Sequence, residues 1–282
     1  MSDITVINDS EQSSLVTNGL AKNGELYLKA AGSTDAGAII VYDSGVWRTF
    51  ANEGGAFSNA YSVDLDGSND YINIPHDSSL TIAGDLSISA WVYRDSTETG
   101  YTSIITKRGS TASNTTYQFY LDRISDGGKL RFYNGSSADS PSGGTTVPTN
   151  QWAHVAITID SGVSNGTKWY VNGTAESSTN TFTINKSNTD DATIGRLGSA
   201  SSFFSKGKID EVGLFSSVLS ASDITAIYNS GVPADLTSYS PVGWWRMGDD
   251  DSGTGTTVTD QGSGSNNGTL TNGPTFSSSV PS

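Results

Sequence analysis

The sequence contains no cysteine and few basic residues, and both absences limit what the protein can be. Without cysteine there is no disulfide framework, no thiolate metal site and no cysteine nucleophile. The 15 Lys and Arg residues are outnumbered by 29 Asp and Glu residues, which gives a net charge of -14. Nucleic acids and anionic membranes require a basic face, so neither is expected as a partner. The chain also lacks any long apolar run of the kind that spans a membrane.

Glycine, by contrast, is abundant, at 32 of 282 residues, and long segments with helical periodicity are missing. Short strands joined by tight turns produce this composition. In LSISAWV, the apolar residues Leu86, Ile88 and Val92 alternate with serine and tryptophan, and AHVAITID alternates in the same way. Alternation places one face of a strand in a core. From about residue 60 onward the sequence therefore predicts an all-β fold, an antiparallel two-sheet sandwich.

The first 57 residues differ from the rest of the chain. The first 22 are polar and predict an extended arm, whereas GELYLKA, AIIVYD and VWRTFA predict three short strands. Ser44 and Gly45 separate the last two strands and form a hairpin signal. We expect residues 1–57 to be a small β module that attaches the protein to a partner, and residues 58–282 to form the second domain.

One segment, SASDITAIYNSG at residues 220–231, predicts a short helix. Ser220 and Asp223 fit the N-cap and N3 positions of a capping box. Gly231 stands where a left-handed C-cap is expected. Asp223 is therefore assigned a structural role.

Several motifs follow one another between Ser62 and Gly231: LDGSNDYINIP, LSISAWV, IITKRG, LRFYNG, QWAHVAITID, WYVNGT and GKIDEVGLF. Their order resembles the laminin-G-like members of the concanavalin A-like lectin and glucanase superfamily. The resemblance implies a two-sheet antiparallel jelly roll.

The stretch GWWRMGDDDSG, which begins at Gly243, is similar to a family segment that usually precedes the first of those motifs. Because the place of a strand in a sheet depends on space rather than on chain order, we expect residues 239–270 to supply a strand of the same jelly roll. On a strand, Trp244 and Trp245 face opposite ways. One ring is then expected in the core and the other exposed or covered, and an exposed ring could stack on a sugar.

Two groups of acidic residues are candidate ligand sites. Calcium takes roughly six to eight oxygen ligands, and the loop after GWWRM can offer such oxygens. Its candidate ligands are Asp249, Asp250, Asp251 and Asp260. No D-x-D-x-D-G register is present, so an ordinary solvated acidic loop remains the alternative. The second group, in VDLDGSNDY, is Asp66, Asn69 and Asp70, which read first as a turn with side-chain-to-backbone hydrogen bonds and otherwise as ligand-binding residues.

No pair of carboxylates in the sequence fits glycoside hydrolysis, which requires two such groups facing one cleft. Asp210 and Glu211 in IDEV are adjacent and are expected on opposite faces of a strand. His154 lies within a strand, where a packed and hydrogen-bonded ring is expected, and His76 follows Pro75 in a loop without an evident partner. We therefore expect a protein without enzymatic activity.

The regions on either side of the jelly-roll motifs resemble those around laminin-G-like domains in structural proteins of tailed bacteriophages, particularly marine phages. That resemblance implies a virion component, such as a capsid decoration, fibre or tail-associated protein, present in many copies or as a homo-oligomer. Its partners would be other virion proteins and a glycan of the host surface. The first residues, MSDITVINDS, lack the basic and apolar regions of a signal peptide, which fits synthesis in the host cytoplasm. The alternative is an exported or cell-surface bacterial protein for carbohydrate binding and adhesion.

Overall fold

The chain divides into two compact units, Met1–Ser58 and Asn59–Ser282. In this computed structural model, the residues described are the strands of the first unit and residues 57–109, 111–141, 144–197 and 203–282. The first unit contains the strands β1 (Thr5–Ile7), β2 (Leu26–Lys29), β3 (Ile39–Asp43) and β4 (Val46–Ala51), which form one sheet in that order.

The three strands predicted for the first unit are confirmed as β2, β3 and β4. Strands β3 and β4 pair antiparallel with Asp43 opposite Val46, which leaves two residues for the predicted hairpin loop. Strand β1 was not predicted: it lies in the polar segment expected to be an extended arm, and it pairs parallel to β2. The remainder of that arm lies outside the described residues.

The second unit is built from strands, with one α-helix, α1 (Ala221–Tyr228). Its strands are β5 (Ser62–Asp66), β6 (Tyr71–Ile74), β7 (Leu86–Arg94), β8 (Thr102–Arg108), β9 (Thr115–Leu121), β10 (Leu130–Tyr133), β11 (Ala138–Asp139), β12 (Trp152–Ile159), β13 (Thr167–Val171), β14 (Thr174–Asn180), β15 (Ala192–Ile194), β16 (Lys206–Phe215), β17 (Gly243–Trp245), β18 (Thr257–Val258), β19 (Gly268–Thr271) and β20 (Thr275–Ser277). Short 3-10 turns occur at Ser78–Leu80, Ala112–Asn114, Ile124–Asp126, Asn229–Gly231, Thr237–Tyr239 and Asp249–Asp251. No helix among the described residues has both the length and the apolar character needed to cross a membrane.

These strands form two antiparallel sheets, which confirms the predicted sandwich. The front sheet has the order β11-β10-β9-β8-β15-β6-β19-β18. The back sheet has the order β14-β13-β12-β7-β16-β5-β20, with β17 paired to β16 in addition. Strands distant in the chain are therefore neighbours in both sheets, so the second unit is held together by long-range pairing.

The core lies between the two sheets and follows the alternation read from the sequence. Leu86, Ile88 and Val92 of β7 are buried against Val155 and Ile157 of β12 and their counterparts in the front sheet. Burial of this kind stabilises a domain by roughly 25 cal/mol for each square ångström of apolar surface removed from water.

The outer face of β7 is buried as well, because α1 packs over it. Tyr228 of α1 stacks on Trp91, with the ring centroids 5.8 Å apart.

The hydroxyl of Ser89 lies 2.9 Å from Nε2 of His154, which is fully buried. Burial lowers the pKa of His154 to about 3, so the ring is neutral at physiological pH. The prediction of a packed, hydrogen-bonded His154 is confirmed.

The ends of α1 confirm one cap and correct the other. Ser220 and Asp223 form the predicted capping box. The C-cap, however, is Asn229, with φ of 44°, and not Gly231. Asparagine adopts the left-handed conformation more readily than most residues, so the helix ends two residues earlier than the glycine indicates.

Candidate functional site

The GWWRM segment forms the expected strand, but neither tryptophan is available to a ligand. Strand β17 pairs antiparallel with β16, placing Trp245 opposite Val212. Trp245 lies in the core, and its indole N–H donates to the carbonyl of Asn266 at 2.8 Å. Trp244 is only 4% exposed, and its indole N–H donates to Oε2 of Glu211. Because both rings are buried, the prediction that one of them stacks on a sugar requires correction.

Asp210 and Glu211 also depart from prediction, because the strand that carries them is irregular. The register of β16 against β7 shifts between Asp210 and Gly213, and Glu211 has φ of 46°. A β-bulge of this kind breaks the alternation of side chains. Both carboxyl groups are consequently buried on the same side of the molecule, near Asp249, rather than separated on opposite faces.

Arg246 joins these carboxyl groups into one buried cluster, which we call the acid cluster (Asp210, Glu211, Arg246, Asp249 and Asp250). Nε of Arg246 donates to Oε1 of Glu211 at 3.1 Å, and Nη2 donates to Oδ2 of Asp249 at 3.2 Å. Asp250 lies 3.7 Å from Nη1. The guanidinium therefore contacts three carboxyl groups, and Asp210 lies beside Glu211 and Asp249.

The excess of acid over base is reflected in the pKa values of the cluster. Burial raises the pKa of Glu211 to about 7, although Arg246 and the Trp244 N–H lower it in part. Burial and the charge of Glu211 raise the pKa of Asp210, and burial raises that of Asp249. The cluster therefore holds protons more tightly than exposed carboxyl groups do.

The acid cluster also fixes the segment at which the second unit begins. Asp249 Oδ1 accepts hydrogen bonds from the backbone N–H groups of Ala60 and Tyr61, at 2.8 and 3.2 Å. Asn59 Nδ2 donates to Asp210 at 2.9 Å. Because the carboxyl groups of Asp210, Glu211 and Asp249 are bonded to donors within the protein and are largely closed off from solvent, the cluster has a structural role rather than a binding role.

The remaining aspartates of the candidate calcium site perform separate structural roles. Asp251 accepts from the backbone N–H and the hydroxyl of Thr259. Asp260 accepts from the backbone N–H groups of Trp244, Gly262 and Asn266. Within the described ranges, no group of three or more His, Asp or Glu side chains is arranged to hold a metal ion. The predicted calcium ligands Asp249, Asp250, Asp251 and Asp260 are therefore not brought together among the described residues: Asp249, Asp251 and Asp260 accept hydrogen bonds from N–H or O–H donors, and Asp250 lies beside Arg246.

The second acidic group forms a turn between β5 and β6. Asp66 Oδ1 accepts from the N–H of Ser68 at 2.7 Å, and this bond lowers the pKa of Asp66. Asp70 is buried and accepts from the N–H of Asp66, while the carbonyl of Asn69 accepts from Asn272. The side-chain-to-backbone turn is confirmed; the binding role of Asp66, Asn69 and Asp70 stays a prediction.

An open cavity lies elsewhere, on the outer face of the front sheet, and we call it the polar groove. It has a volume of about 380 Å³ and is lined by Asn73, Thr106, Arg108, Thr189, Asp190, Asp191, Thr193 and Arg196. Ligand-binding pockets commonly have volumes of roughly 300–1,000 Å³. The groove is thus large enough for a small ligand.

The floor of the polar groove is a row of polar side chains that crosses the front sheet. Strand register places Asn73 of β6 opposite Thr193 of β15, and Thr193 opposite Thr106 of β8. The row continues to Thr269 on one side and to Gln118 on the other. Oε1 of Gln118 is buried and has no hydrogen-bond donor among the described residues. Hydroxyl and amide groups are therefore repeated across adjacent strands, which lie about 4.8 Å apart.

Arg196 forms one wall of the groove and packs on Tyr71. The guanidinium of Arg196 lies 3.9 Å from the centroid of the Tyr71 ring, a cation–π geometry. Its Nε atom is buried without a hydrogen-bond partner in the described part of the chain.

The other wall contains Asp191, which is held in place by the front sheet. Its carboxylate accepts from Asn73 Nδ2 and from the backbone N–H of His76, both at 2.9 Å. Both carboxylate oxygens of Asp191 are thus occupied.

A buried lysine fixes the loop beside this wall. Nζ of Lys107 donates to the carbonyl of Asp190 at 2.7 Å and lies 3.0 Å from Nδ1 of His76. Burial lowers the pKa of Lys107. His76, which the sequence leaves without a partner, is therefore held by Lys107. A second cavity of about 520 Å³ adjoins the groove, because Thr189 and Asp190 line both.

An aromatic hollow of about 370 Å³ on the back sheet is a weaker candidate. Its walls include Trp91, Tyr93, Trp152 and Tyr228. Tyr93 packs edge-on against Trp152 with centroids 5.8 Å apart, and Trp91 stacks on Tyr228. These ring faces are already used within the protein.

None of the residues that line the polar groove was predicted as a site residue from the sequence. Tyr71 and Asn73 alternate with isoleucines in YINI, which could have indicated that one face of β6 is not part of the core. Which polar residues meet across the sheet depends on the register of β6, β8 and β15, which are far apart in the chain.

Comparison with known proteins agrees with this architecture. A family model described as the concanavalin A-like lectin/glucanases superfamily matches residues 66–225. No curated protein sequence matches the chain.

Several solved structures are similar to the chain. One is a protein from Bacteroides ovatus, provisionally described as carbohydrate binding, with 18% identity, a TM-score of 0.61, and coverage of 92% of this chain and 71% of that chain. A pentraxin from Limulus polyphemus has 14% identity, a TM-score of 0.47 and coverage of 61% and 84%. Domain 4 of an extracellular arabinanase from Geobacillus stearothermophilus, solved with arabinotriose, has 17% identity, a TM-score of 0.44 and coverage of 76% and 95%. At these identities, the first similarity shows a shared fold.

Proposed function

The chain belongs to the concanavalin A-like lectin/glucanases superfamily, and from that premise we propose that it is a non-catalytic carbohydrate-binding protein whose ligand occupies the polar groove. The observation that carries the proposal is the row formed by Asn73, Thr193 and Thr106 across three adjacent strands. Saccharides present hydroxyl groups along their length, and side chains that both donate and accept hydrogen bonds recognise them.

The shape and composition of the groove support the same ligand class. The cavity is open and mostly polar, and its lining offers hydroxyl, amide, guanidinium and carboxylate groups. Groups of these kinds donate and accept the hydrogen bonds that the hydroxyl groups of a sugar require. The Bacteroides ovatus protein, which shares the fold, is itself described as carbohydrate binding.

The absence of catalysis is part of the proposal. The buried carboxyl groups with raised pKa, Asp210 and Glu211, lie in the acid cluster, closed off from a polymeric substrate. In the groove, both oxygens of Asp191 are occupied by structural donors. A glycosidase needs a carboxyl group that donates a proton and a second that acts as base or nucleophile. With Asp191 held by two structural donors, Asp190 is the other carboxylate among the residues that line the groove.

Binding is tested by screening the full chain on a glycan array and measuring the hits by calorimetry. Thr193→Val removes one hydroxyl from the groove floor at nearly constant volume, and we expect affinity to fall about tenfold. Thr174→Val, at an exposed position of the back sheet, is the matched control. An array without hits, or hits whose affinity is unchanged in Thr193→Val, would refute the proposed site. Release of reducing ends from a bound glycan would refute the absence of catalysis.

The finer proposal is that this module is displayed on a virion, as a capsid, fibre or tail-associated protein. The first unit supports it, because Met1–Ser58 forms its own compact unit with its own sheet and can serve as an attachment module. Deleting residues 1–57 should leave a folded sandwich that no longer joins purified particles, measured by mass spectrometry. Recovery of the full chain in the cell-surface or secreted fraction, and not in particles, would favour the alternative of a bacterial adhesion protein.

A further inference from the structure

The polar groove gathers positive charge in a protein that is otherwise acidic. The sequence has 29 acidic and 15 basic residues, yet Arg108 and Arg196 line the same cavity. Lys107 is buried directly beside it. Asp190 and Asp191 line the same cavity, but among the described residues neither forms an ion pair with Arg108 or Arg196, and Asp191 accepts instead from Asn73 and the His76 N–H.

Arg108 and Arg196 differ from the other arginines whose side chains the structure describes. Each of the others contacts an oxygen atom: Arg94 the carbonyls of Gly100 and Asp122, Arg123 the carboxylate of Asp126, Arg131 that of Asp122, and Arg246 those of Glu211 and Asp249. In the described ranges, Arg108 and Arg196 have no such partner for their guanidinium groups. Both are half-buried, so their charge is partly removed from water without an acceptor to compensate.

The geometry of Arg196 suits an anionic ligand in particular. Stacking on Tyr71 fixes the plane of its guanidinium, while Nε remains without an acceptor. A planar guanidinium held in this way is able to donate more than one N–H group to the oxygens of a carboxylate or a sulfate ester.

We infer that the ligand of the polar groove is an acidic saccharide, whose carboxylate or sulfate group is bound by Arg108 and Arg196 while its hydroxyl groups contact Asn73 and Thr193. This inference rests on the proposed function. The net charge of -14 opposes unspecific association with a polyanion, so such a ligand must be held by a local cationic site.

The experiment compares charged and neutral forms of the same saccharide on the full chain. The probes are tetragalacturonate and its methyl ester for the carboxylate, and a sulfated galactan tetrasaccharide and its desulfated form for the sulfate. Sodium sulfate serves as the control for an adventitious ion only. We expect one of the charged forms to bind at least tenfold more tightly than its neutral partner, and the pair that shows the difference identifies the anionic group.

Three variants locate the effect. Arg108→Gln and Arg196→Gln should each reduce affinity for the charged saccharide about tenfold or more, whereas Lys168→Gln, which removes an exposed positive charge from the back sheet, should leave it unchanged. Circular dichroism and thermal melting check that the variants are folded.

The outcomes separate the two levels of the proposal. Equal binding of charged and neutral forms that is sensitive to Thr193→Val overturns the acidic ligand and leaves the groove as a carbohydrate site. The inference is also overturned if neither arginine substitution changes the affinity for the charged form. It is overturned likewise if sodium sulfate alone binds as the charged saccharide does. If none of these saccharides binds while the glycan array gives a hit that is sensitive to Thr193→Val, the acidic ligand is overturned and the carbohydrate site stands; if the array also gives no hit, the proposed function fails as well.

Discussion

The acid cluster and the polar groove contain the same kinds of residue and use them in opposite ways. In the cluster, Arg246 is 13% exposed and is surrounded by carboxyl groups, and every group has a partner within the protein. In the groove, Arg108 and Arg196 lie at an open cavity without a carboxylate partner among the described residues. Charged residues that satisfy one another hold a fold together, whereas charged residues left unsatisfied at an opening are available to a ligand.

This comparison predicts different consequences for the loss of one arginine. Arg246→Met leaves Glu211 and Asp249 buried without their cation and should destabilise the second unit by about 3–5 kcal/mol. Arg108→Met, at the groove, should change the free energy of unfolding by less than about 1 kcal/mol. Urea denaturation of the two variants and the wild type measures both effects.

The pH dependence of this effect gives a further check on Arg246→Met. Because the carboxyl groups can become protonated when their cation is lost, the penalty should be larger at pH 8 than at pH 5.5. Equal destabilisation by the two methionine variants would show that the cluster and the groove do not differ in the way proposed.

The second prediction concerns stability against pH. Glu211 has its pKa raised in the folded protein, to about 7 from 4.5, so the folded state retains a proton that the unfolded state has released. The stabilisation from this proton is complete below pH 4.5 and is lost as pH rises toward 7. The free energy of unfolding should fall by about 2–3 kcal/mol over this interval.

Glu211→Gln is the matched control, because an amide does not titrate. Its stability profile between pH 5 and 8 should be flatter than that of the wild type, as measured by urea denaturation at each pH. Burial raises the pKa of Asp210 and Asp249 in the same direction, so some slope remains. A wild-type profile that is level or rises through this interval would contradict the role given to Glu211.

The two regions also differ in how far the sequence could predict them. Alternation in β7 and β12 correctly placed the core residues, and GWWRM was correctly assigned to a strand of the sandwich. The bulge at Glu211 was not predictable, because a glutamate with φ of 46° carries none of the usual turn signals. The burial of Trp244 depends on that bulge, since its indole N–H donates to Glu211.

The polar groove was missed for a different reason. Asn73, Thr106 and Thr193 are unremarkable residues in their own strands, and they meet only because β15 lies between β6 and β8. A pattern within one strand indicates which face is polar, but the neighbours of that strand are set by the fold as a whole. The prediction instead named tryptophans and aspartates, and several of these belong to the acid cluster or pack against it.

The third prediction tests whether Lys107 supports the groove or the fold. Lys107→Met replaces a buried charge with an apolar side chain of similar length, so the free energy of unfolding should change by no more than about 1 kcal/mol. The loop at Asp190 loses its hydrogen bond from Nζ, and affinity for the groove ligand should fall about tenfold. Calorimetry and urea denaturation on the same variant measure the two quantities. A large loss of stability with unchanged affinity would show that Lys107 supports the fold and not the groove.

The smallest expected effect is at the turn that the sequence also marked as a ligand site. Asp66 accepts hydrogen bonds from the N–H groups of Ser68 and Asn69, at 2.7 and 3.4 Å, on an exposed loop. Asp66→Ala removes these bonds, but water can replace them, so the melting temperature should fall by about 2 °C or less. Asp66→Asn retains an acceptor oxygen and should melt at the wild-type temperature. Since Asp66 does not line the polar groove, both variants should bind the groove ligand as the wild type does; a loss of binding in both, with melting unchanged, would move the ligand site toward this turn and away from Arg108 and Arg196.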